Sequence, residues 1–173
     1  MTILVCSLSK VPEVARTRGP SRLVSLLDPN SNFPKNHGVP HHLALSMHDI
    51  NEEHSGWNAP AHQQIEELIG FVEQWDRAAA PILIHCYAGI SRSTATAFVT
   101  ACVHNPRADE EVIAWALRTS SISAWPNKRI IALADAHLGR NGRMIRAIET
   151  IGPGRSWEEI GEAEPFELVS SHT

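Results

Sequence analysis

The sequence predicts an α/β domain in which helices pack on a central, mostly parallel sheet. Short apolar runs typical of buried strands occupy the first half of the chain. Helical patterns dominate the second half, and a glycine-bearing loop joins the last of these strands directly to a helix. This order favours a sheet with helices on its faces and places the loop at the carboxyl edge of a strand.

The strands are predicted from short segments that are rich in apolar residues. Between the first two, residues 12–18 are expected to form a short helix. A long irregular loop over residues 28–42, rich in proline and polar residues, precedes the third. The predicted strands span residues 2–6, 22–27, 42–47 and 81–84.

Further helices are predicted where apolar residues recur at helical spacing behind a start signal. Pro60 provides such a signal, and apolar residues at positions 61, 65, 68, 69 and 72 follow it. A capping box begins a short helix at Ser156. The remaining predicted helices span residues 91–103, 109–117 and 127–138.

The chain is long enough to bury a core without disulfides, since it has 173 residues of which 43% are hydrophobic. We therefore expect one domain over residues 1–173, with residues 140–173 as a C-terminal extension. The arginines and glutamates of this extension are interpreted mainly as solvated surface, with contact to an anionic substrate or partner as the alternative for the arginines. The arginines are Arg140, Arg143, Arg146 and Arg155.

Charge and composition argue against several classes of protein. The net charge of -4 and the pI near 6.2 argue against a basic surface that could bind nucleic acid. No apolar run approaches the length of a membrane span, and residues 1–10 lack a signal-peptide pattern. Three cysteines cannot form a closed disulfide framework. We therefore expect a cytoplasmic protein with no nucleic-acid partner.

Residues 85–93, His-Cys-Tyr-Ala-Gly-Ile-Ser-Arg-Ser, form the most specific motif of the chain. In a strand-to-helix loop the backbone N–H groups can turn inward as a nest, and the helix adds its positive end. Arg92 adds a planar fork that can grip two phosphate oxygens. The motif therefore predicts a phosphate-binding loop. Its residues are Tyr87, Ala88, Gly89, Ile90, Ser91 and Arg92.

Cys86 is the candidate nucleophile of this loop. The positive field of the loop favours its thiolate, which is the form that attacks, and Ser93 is placed to donate a hydrogen bond to the sulfur. The alternative is that Cys86 is a small core residue and Arg92 a surface ion-pair partner. Cys6 and Cys102 are expected to fill core space, with a disulfide between Cys6 and oxidised Cys86 as the alternative.

The motif resembles the Cys-x5-Arg loop of the cysteine-dependent protein tyrosine phosphatases, and its full pattern is most similar to their dual-specificity branch. The resemblance is dense over residues 81–103, looser over 22–81 and limited to element order beyond 126. It implies the protein tyrosine phosphatase fold, with no metal or other cofactor. His85 is expected to organise the loop, and Asn127 to brace it or to cap a helix.

The resemblance also implies an upstream Asp that protonates the leaving group. We assign this role to Asp49, because it follows the predicted strand 42–47 and precedes the next helix. The chain departs here from the Trp-Pro-Asp triplet of classical tyrosine phosphatases, so Glu52 and Glu53 stay as alternatives for the acid. A turn or helix-cap role is the alternative for Asp49 itself.

The predicted function is hydrolysis of phosphomonoesters through a phosphocysteine. The expected substrate is phosphotyrosine in a protein, with phosphoserine and phosphothreonine as alternatives. A small phosphomonoester or a phosphoinositide is a second substrate class. Positions 87–90 carry no Lys or Arg, unlike the lysine-bearing loops of the family's lipid phosphatases, and this difference disfavours a phosphoinositide. A phosphate-binding module without turnover is the alternative function. The histidines between residues 37 and 54 lack the spacing of known ligand sets, so no metal site is expected.

Overall fold

The computed structural model describes residues 2–172, and its centre is a sheet with the strand order β3-β2-β4-β1-β5. Neighbouring strands run parallel except β5, which is antiparallel to β1. The predicted α/β class with a mostly parallel sheet is therefore confirmed. The strands are β1 Thr2–Ser7, β2 Arg22–Leu27, β3 His41–Ser46, β4 Ile82–Cys86 and β5 Phe166–Val169.

The helices surround this sheet, and each predicted helix is found within a few residues of its expected bounds. Within residues 2–172, none of them combines the length and apolar character that crossing a bilayer requires. A 3-10 turn at Leu8–Lys10 precedes the first. The helices are α1 Val11–Arg18, α2 His62–Glu73, α3 Arg92–His104, α4 Glu110–Ser120, α5 Lys128–His137, α6 Arg143–Ile151 and α7 Trp157–Ile160.

The two faces of the sheet carry separate hydrophobic clusters, because side chains alternate along each strand. The larger cluster contains Cys86 and the apolar residues of α2 to α6. The smaller one contains Cys6 and the inner residues of α1. The thiols of Cys6 and Cys86 therefore belong to opposite faces. Burial raises the pKa of the Cys6 thiol to about 12, so neither its position nor its protonation favours the disulfide alternative.

Helix α3 lies at the centre of the larger cluster and is buried from Arg92 to Cys102. It packs against β1 and β4 on one side and against α2, α4 and α5 on the other. A helix that is buried all round cannot shift without disturbing its neighbours. The phosphate-binding loop before α3 is thus attached to two rigid elements, β4 and α3.

The C-terminal segment is part of the packed structure. Helix α6 buries an apolar face in the larger cluster, and β5 forms an edge of the sheet. Our interpretation of its arginines as mainly solvated is wrong for Arg140, which is buried and lies 2.8 Å from Glu110 Oε1. Arg143 Nε binds the other oxygen of Glu110 at 3.0 Å. Because Glu110 is buried on α4, this pair of contacts ties the segment to the domain.

Candidate active site

The predicted phosphate-binding loop connects the end of β4 to the start of α3. Cys86 is the last residue of β4, and Arg92 is the first residue of α3. Both side chains are almost fully buried, with exposed fractions of 2% and 4%. The apolar strand ends at Cys86, where the backbone turns toward the helix. Gly89 allows this turn because it adopts a φ of 76°, which favours glycine.

The carbonyl groups of the loop point outward, where N–H groups from other parts of the chain bind them. This arrangement leaves the loop's own N–H groups on the inner side, as a nest for an anion. Gly89 is required for a second reason, since a Cβ there would lie 3.0 Å from the backbone of Cys6 and Ser7. The external donors are the N–H groups of Leu8, Ala163 and Trp125, which bind the carbonyls of Tyr87, Ala88 and Ile90 at 3.0, 2.8 and 2.9 Å.

The Cys86 sulfur lies at the bottom of this nest. The Gly89 N–H donates to Sγ at 3.3 Å, and Ser93 Oγ lies 3.1 Å from it. Both groups stabilise negative charge on sulfur when they donate, as does the positive end of α3. The predicted neighbourhood of Cys86 and Ser93 is thus present in the structure.

Arg92 is held with one part of its guanidinium engaged and another free. Nη1 donates to Asp28 Oδ1 and to the Met47 carbonyl, each at 2.7 Å. Nε is buried and has no hydrogen-bond partner among the described residues; the nearest carboxylate oxygen, Asp49 Oδ2, is 3.8 Å away. A buried donor without a partner is costly, so Nε is available to an anionic ligand in the pocket.

Asp28 is a site residue that the sequence did not reveal, because it falls in the predicted irregular loop over residues 28–42. No local pattern connects it to Arg92, which is 64 positions away. The only signal was its position at the carboxyl end of a parallel strand, the sheet edge where sites of this class form.

His85 belongs to a buried chain of hydrogen bonds beneath the loop. It donates from Nδ1 to the Cys86 carbonyl at 3.1 Å, so Nε2 accepts from Ser25 Oγ at 2.6 Å. Ser25 in turn accepts from His42 Nε2 at 2.8 Å. Burial lowers the pKa of His85 to about 4, and the ring is therefore neutral at pH 7. Ser25 and His42 were also missed.

The Asp49 carboxylate lies at the mouth of the nest. Its Oδ1 accepts hydrogen bonds from Ser91 Oγ at 2.7 Å and Asn127 Nδ2 at 2.8 Å. Asn127 also caps α5, since its Oδ1 accepts the Ile130 N–H at 3.0 Å, so both proposed roles of Asn127 are compatible with its position. Neither Glu52 nor Glu53 is among the described residues that line the pocket.

The pocket above Cys86 has a volume of about 450 Å³ and aromatic walls. Tyr87 comes from the loop, Trp125 precedes α5, and Trp157 is contributed by α7. Trp125 and Trp157 were missed, since nothing in the local sequence distinguishes them from core aromatics. Trp57 is not among the described residues that line this pocket. Its ring centroid lies 4.6 Å from that of His48. Within residues 2–172, no cluster of three His, Cys, Asp or Glu side chains is arranged for a metal.

Comparison with known proteins agrees with this geometry. Residues 37–123 match the model of the protein-tyrosine phosphatase family, whereas no curated protein matches the chain. Three solved structures, each aligned over most of its own chain, are similar in fold. DUSP15 has 16% identity over 85% of this chain and 88% of its own, with a TM-score of 0.61. Human DUSP28 has 16% identity over 77% and 84%, with a TM-score of 0.58. The human tyrosine phosphatase-like serine/threonine/tyrosine-interacting protein has 17% identity over 78% and 86%, with a TM-score of 0.57.

The family match extends from the loop before β3 to the residues just before Trp125, so it includes Asp49, Cys86 and Arg92. The solved structures extend the likeness in fold to most of the chain. The chain therefore belongs to the protein-tyrosine phosphatase family, and its fold is that of the dual-specificity phosphatases.

Proposed function

We propose that this protein is a phosphatase that hydrolyses phosphomonoesters through a phosphocysteine at Cys86. The observation that carries the proposal is Arg92, whose buried Nε has no hydrogen-bond partner in the described residues and which lines the same pocket as the Cys86 thiol. This arrangement suits a tetrahedral anion with several oxygens. We also propose that residues 1–173 form one catalytic domain, because Trp157 and Ala163 contribute to the site.

In the first step the Cys86 thiolate attacks phosphorus while the bond to the leaving oxygen breaks. The loop N–H groups and Arg92 bind the three equatorial oxygens, whose charge they stabilise in the transition state. Asp49 gives its proton to the leaving oxygen. We assign this proton to Oδ2, because Oδ1 already accepts two hydrogen bonds. The products are the free alcohol or phenol and a phosphocysteine.

In the second step a water molecule attacks the phosphocysteine. The Asp49 carboxylate accepts a proton from this water, and the sulfur–phosphorus bond breaks to release inorganic phosphate. Ser93 stabilises the departing thiolate, since its Oγ lies 3.1 Å from the sulfur. His85 takes no proton in either step, because it is neutral and contacts the carbonyl of Cys86 rather than its sulfur.

The substrate class that we favour is phosphotyrosine in a protein. The walls formed by Tyr87, Trp125 and Trp157 suit a flat aromatic ring above the phosphate site, and phosphoserine and phosphothreonine would leave them largely uncovered. The lack of basic residues at loop positions 87–90 argues against a phosphoinositide. The intact pair of Cys86 and Arg92 favours turnover over a module that only binds phosphate.

The test is hydrolysis of 4-nitrophenyl phosphate in EDTA and reductant by the wild type and by Cys86→Ser, over a pH series. We expect turnover in the wild type and a loss of at least about a thousandfold in the variant, because the nucleophile is removed. Binding of inorganic phosphate to both proteins by calorimetry is the control for an intact site. A folded wild type that binds phosphate without turnover would establish the phosphate-binding module instead.

A further inference from the structure

Asp49 lies on a surface loop that is docked against the start of α5. We call residues 48–60 the acid loop. It connects β3 to α2, whereas the phosphate-binding loop connects β4 to α3. The Asp49 carboxylate is bound directly by Ser91 and Asn127. Contacts made by the rest of the loop add to this restraint, and they therefore bear on the chemistry.

The neck of the acid loop is closed by reciprocal hydrogen bonds. The His48 N–H donates to the Asn58 carbonyl at 2.8 Å, and the Asn58 N–H donates to His48 Nδ1 at 2.9 Å. The ring of His48 packs on Trp57 within the same loop. Compact loops with joined ends behave as units. A contact made by one part of the acid loop therefore restrains Asp49 as well.

Asn51 attaches one side of the acid loop to α5. Its Oδ1 accepts the N–H groups of Lys128 at 3.0 Å and Arg129 at 3.4 Å. These are the first two N–H groups of the helix, which have no carbonyl partner within it. Asn127 caps only the third, that of Ile130. Helix α5 is thus capped jointly by its own N-cap residue and by a residue of the acid loop.

Arg129 attaches the other side of the acid loop. Its Nε donates to the Pro60 carbonyl at 2.7 Å, and its Nη2 binds Glu53 Oε1 at 2.7 Å. The Glu53 side chain is 78% exposed, so that ion pair contributes little by itself. The bond to Pro60 fixes the end of the loop, where Arg129 is itself only 24% exposed.

We propose that Asn51 and Arg129 are positioning residues that hold the acid loop closed on α5 and so keep Asp49 Oδ2 beside the leaving oxygen. The inference rests on the proposed function. Within residues 2–172 neither side chain makes a hydrogen bond to the phosphate-binding loop, so their loss leaves the hydrogen bonds of Cys86 and Arg92 intact. Looser docking of the loop displaces the proton donor but not the nucleophile.

The test compares two aryl phosphates that differ in their need for an acid. Phenyl phosphate has a poor leaving group, whereas 4-nitrophenyl phosphate has one that departs without protonation. We expect Asn51→Ala to lower kcat/KM on phenyl phosphate by about fivefold to tenfold, as expected from the loss of one capping interaction, and to change it less than about twofold on 4-nitrophenyl phosphate. Arg129→Ala should show the same split, and Asp49→Asn gives the reference pattern.

Two further variants separate positioning from general damage. Asn51→Asp keeps the acceptor oxygen and should restore activity on phenyl phosphate. Asn58→Ala is the matched control, because the Asn58 side chain makes no hydrogen bond within residues 2–172 while its backbone bonds remain. Inhibition by inorganic phosphate should be unchanged throughout. An equal loss on both substrates in Asn51→Ala, or no loss on either, overturns the inference, whereas an inactive wild type overturns the proposed function itself.

Discussion

Replacement of Gly154 by alanine should disturb two walls of the pocket at once. A Cβ at this position would lie 2.5 Å from the carbonyl oxygens of Ser123 and Ala124 and 2.6 Å from the carbonyl carbon of Ser123. All of these atoms belong to the backbone and cannot rotate away. The backbone at Gly154 and the backbone of residues 123–124 must therefore separate by about 1 Å to reach ordinary van der Waals distance.

The expected cost of this overpacking is about 1–3 kcal/mol. For a chain of this length, such a loss lowers the Tm by about 3–10 °C, which differential scanning calorimetry measures directly. Activity should fall as well, because Trp125 directly follows Ala124 and Trp157 lies three residues after Gly154. We expect a rise in KM for aryl phosphates with little change in kcat, since the walls bind the substrate and take no part in the chemistry.

Gly70→Ala is the control for Gly154→Ala. Gly70 lies within α2, and a Cβ there meets no atom within 4 Å. Alanine is the better helix former by about 1 kcal/mol, so this variant should raise the Tm by about 2–4 °C. Shifts of opposite sign in the two variants would support the steric reasoning. A Tm for Gly154→Ala equal to or above that of the wild type would refute it.

Two other perturbations test the groups around Cys86. Asp28→Ala should lower kcat/KM for 4-nitrophenyl phosphate by about tenfold to a hundredfold, because Arg92 loses the carboxylate that orients it. Asp28→Asn keeps an acceptor oxygen and should lose less activity. Wild-type activity in both variants would contradict this role of Asp28. His85 has a pKa near 4 in the folded state and near 6.5 when unfolded. Between pH 4 and 6.5, His85 is therefore protonated in the unfolded chain and neutral in the folded one. The free energy of unfolding should therefore fall by about 1.4 kcal/mol per unit as the pH drops from 6.5 to 4. Urea titrations of the wild type and His85→Gln over that range should show a steeper fall in the wild type, and parallel curves would exclude this role for His85.

The central part of the fold was predictable because its signals are local. The strands β1 to β4 are short apolar runs, and α2 to α5 carry apolar residues at helical spacing behind clear start signals. Helix α6 was missed although Met144, Ala147, Ile148 and Ile151 follow the same spacing, because the arginines between them were interpreted as surface. Strand β5 has only Leu168 as a buried residue, and a short edge strand is defined by its partner rather than by its own sequence.

The candidate site shows the same division between local and distant signals. Cys86, Arg92 and Ser93 share one contiguous motif, so the sequence was enough to group them. Asp49 required the family's layout as well. Asp28 follows β2 and Trp157 begins α7, and only tertiary packing brings them to the site. Long-range contacts of this kind leave no periodicity in the sequence that could be recognised.

The outward carbonyls of the phosphate-binding loop have a consequence for the synthesis of this protein. Their donors, Leu8, Trp125 and Ala163, come from three distant parts of the sequence. A ribosome releases the chain from its N-terminus, so a nascent chain that stops short of residue 163 leaves the carbonyl of Ala88 without its donor. The nest is therefore complete only when all three donor segments have packed around the loop, and catalytic competence reports that they have.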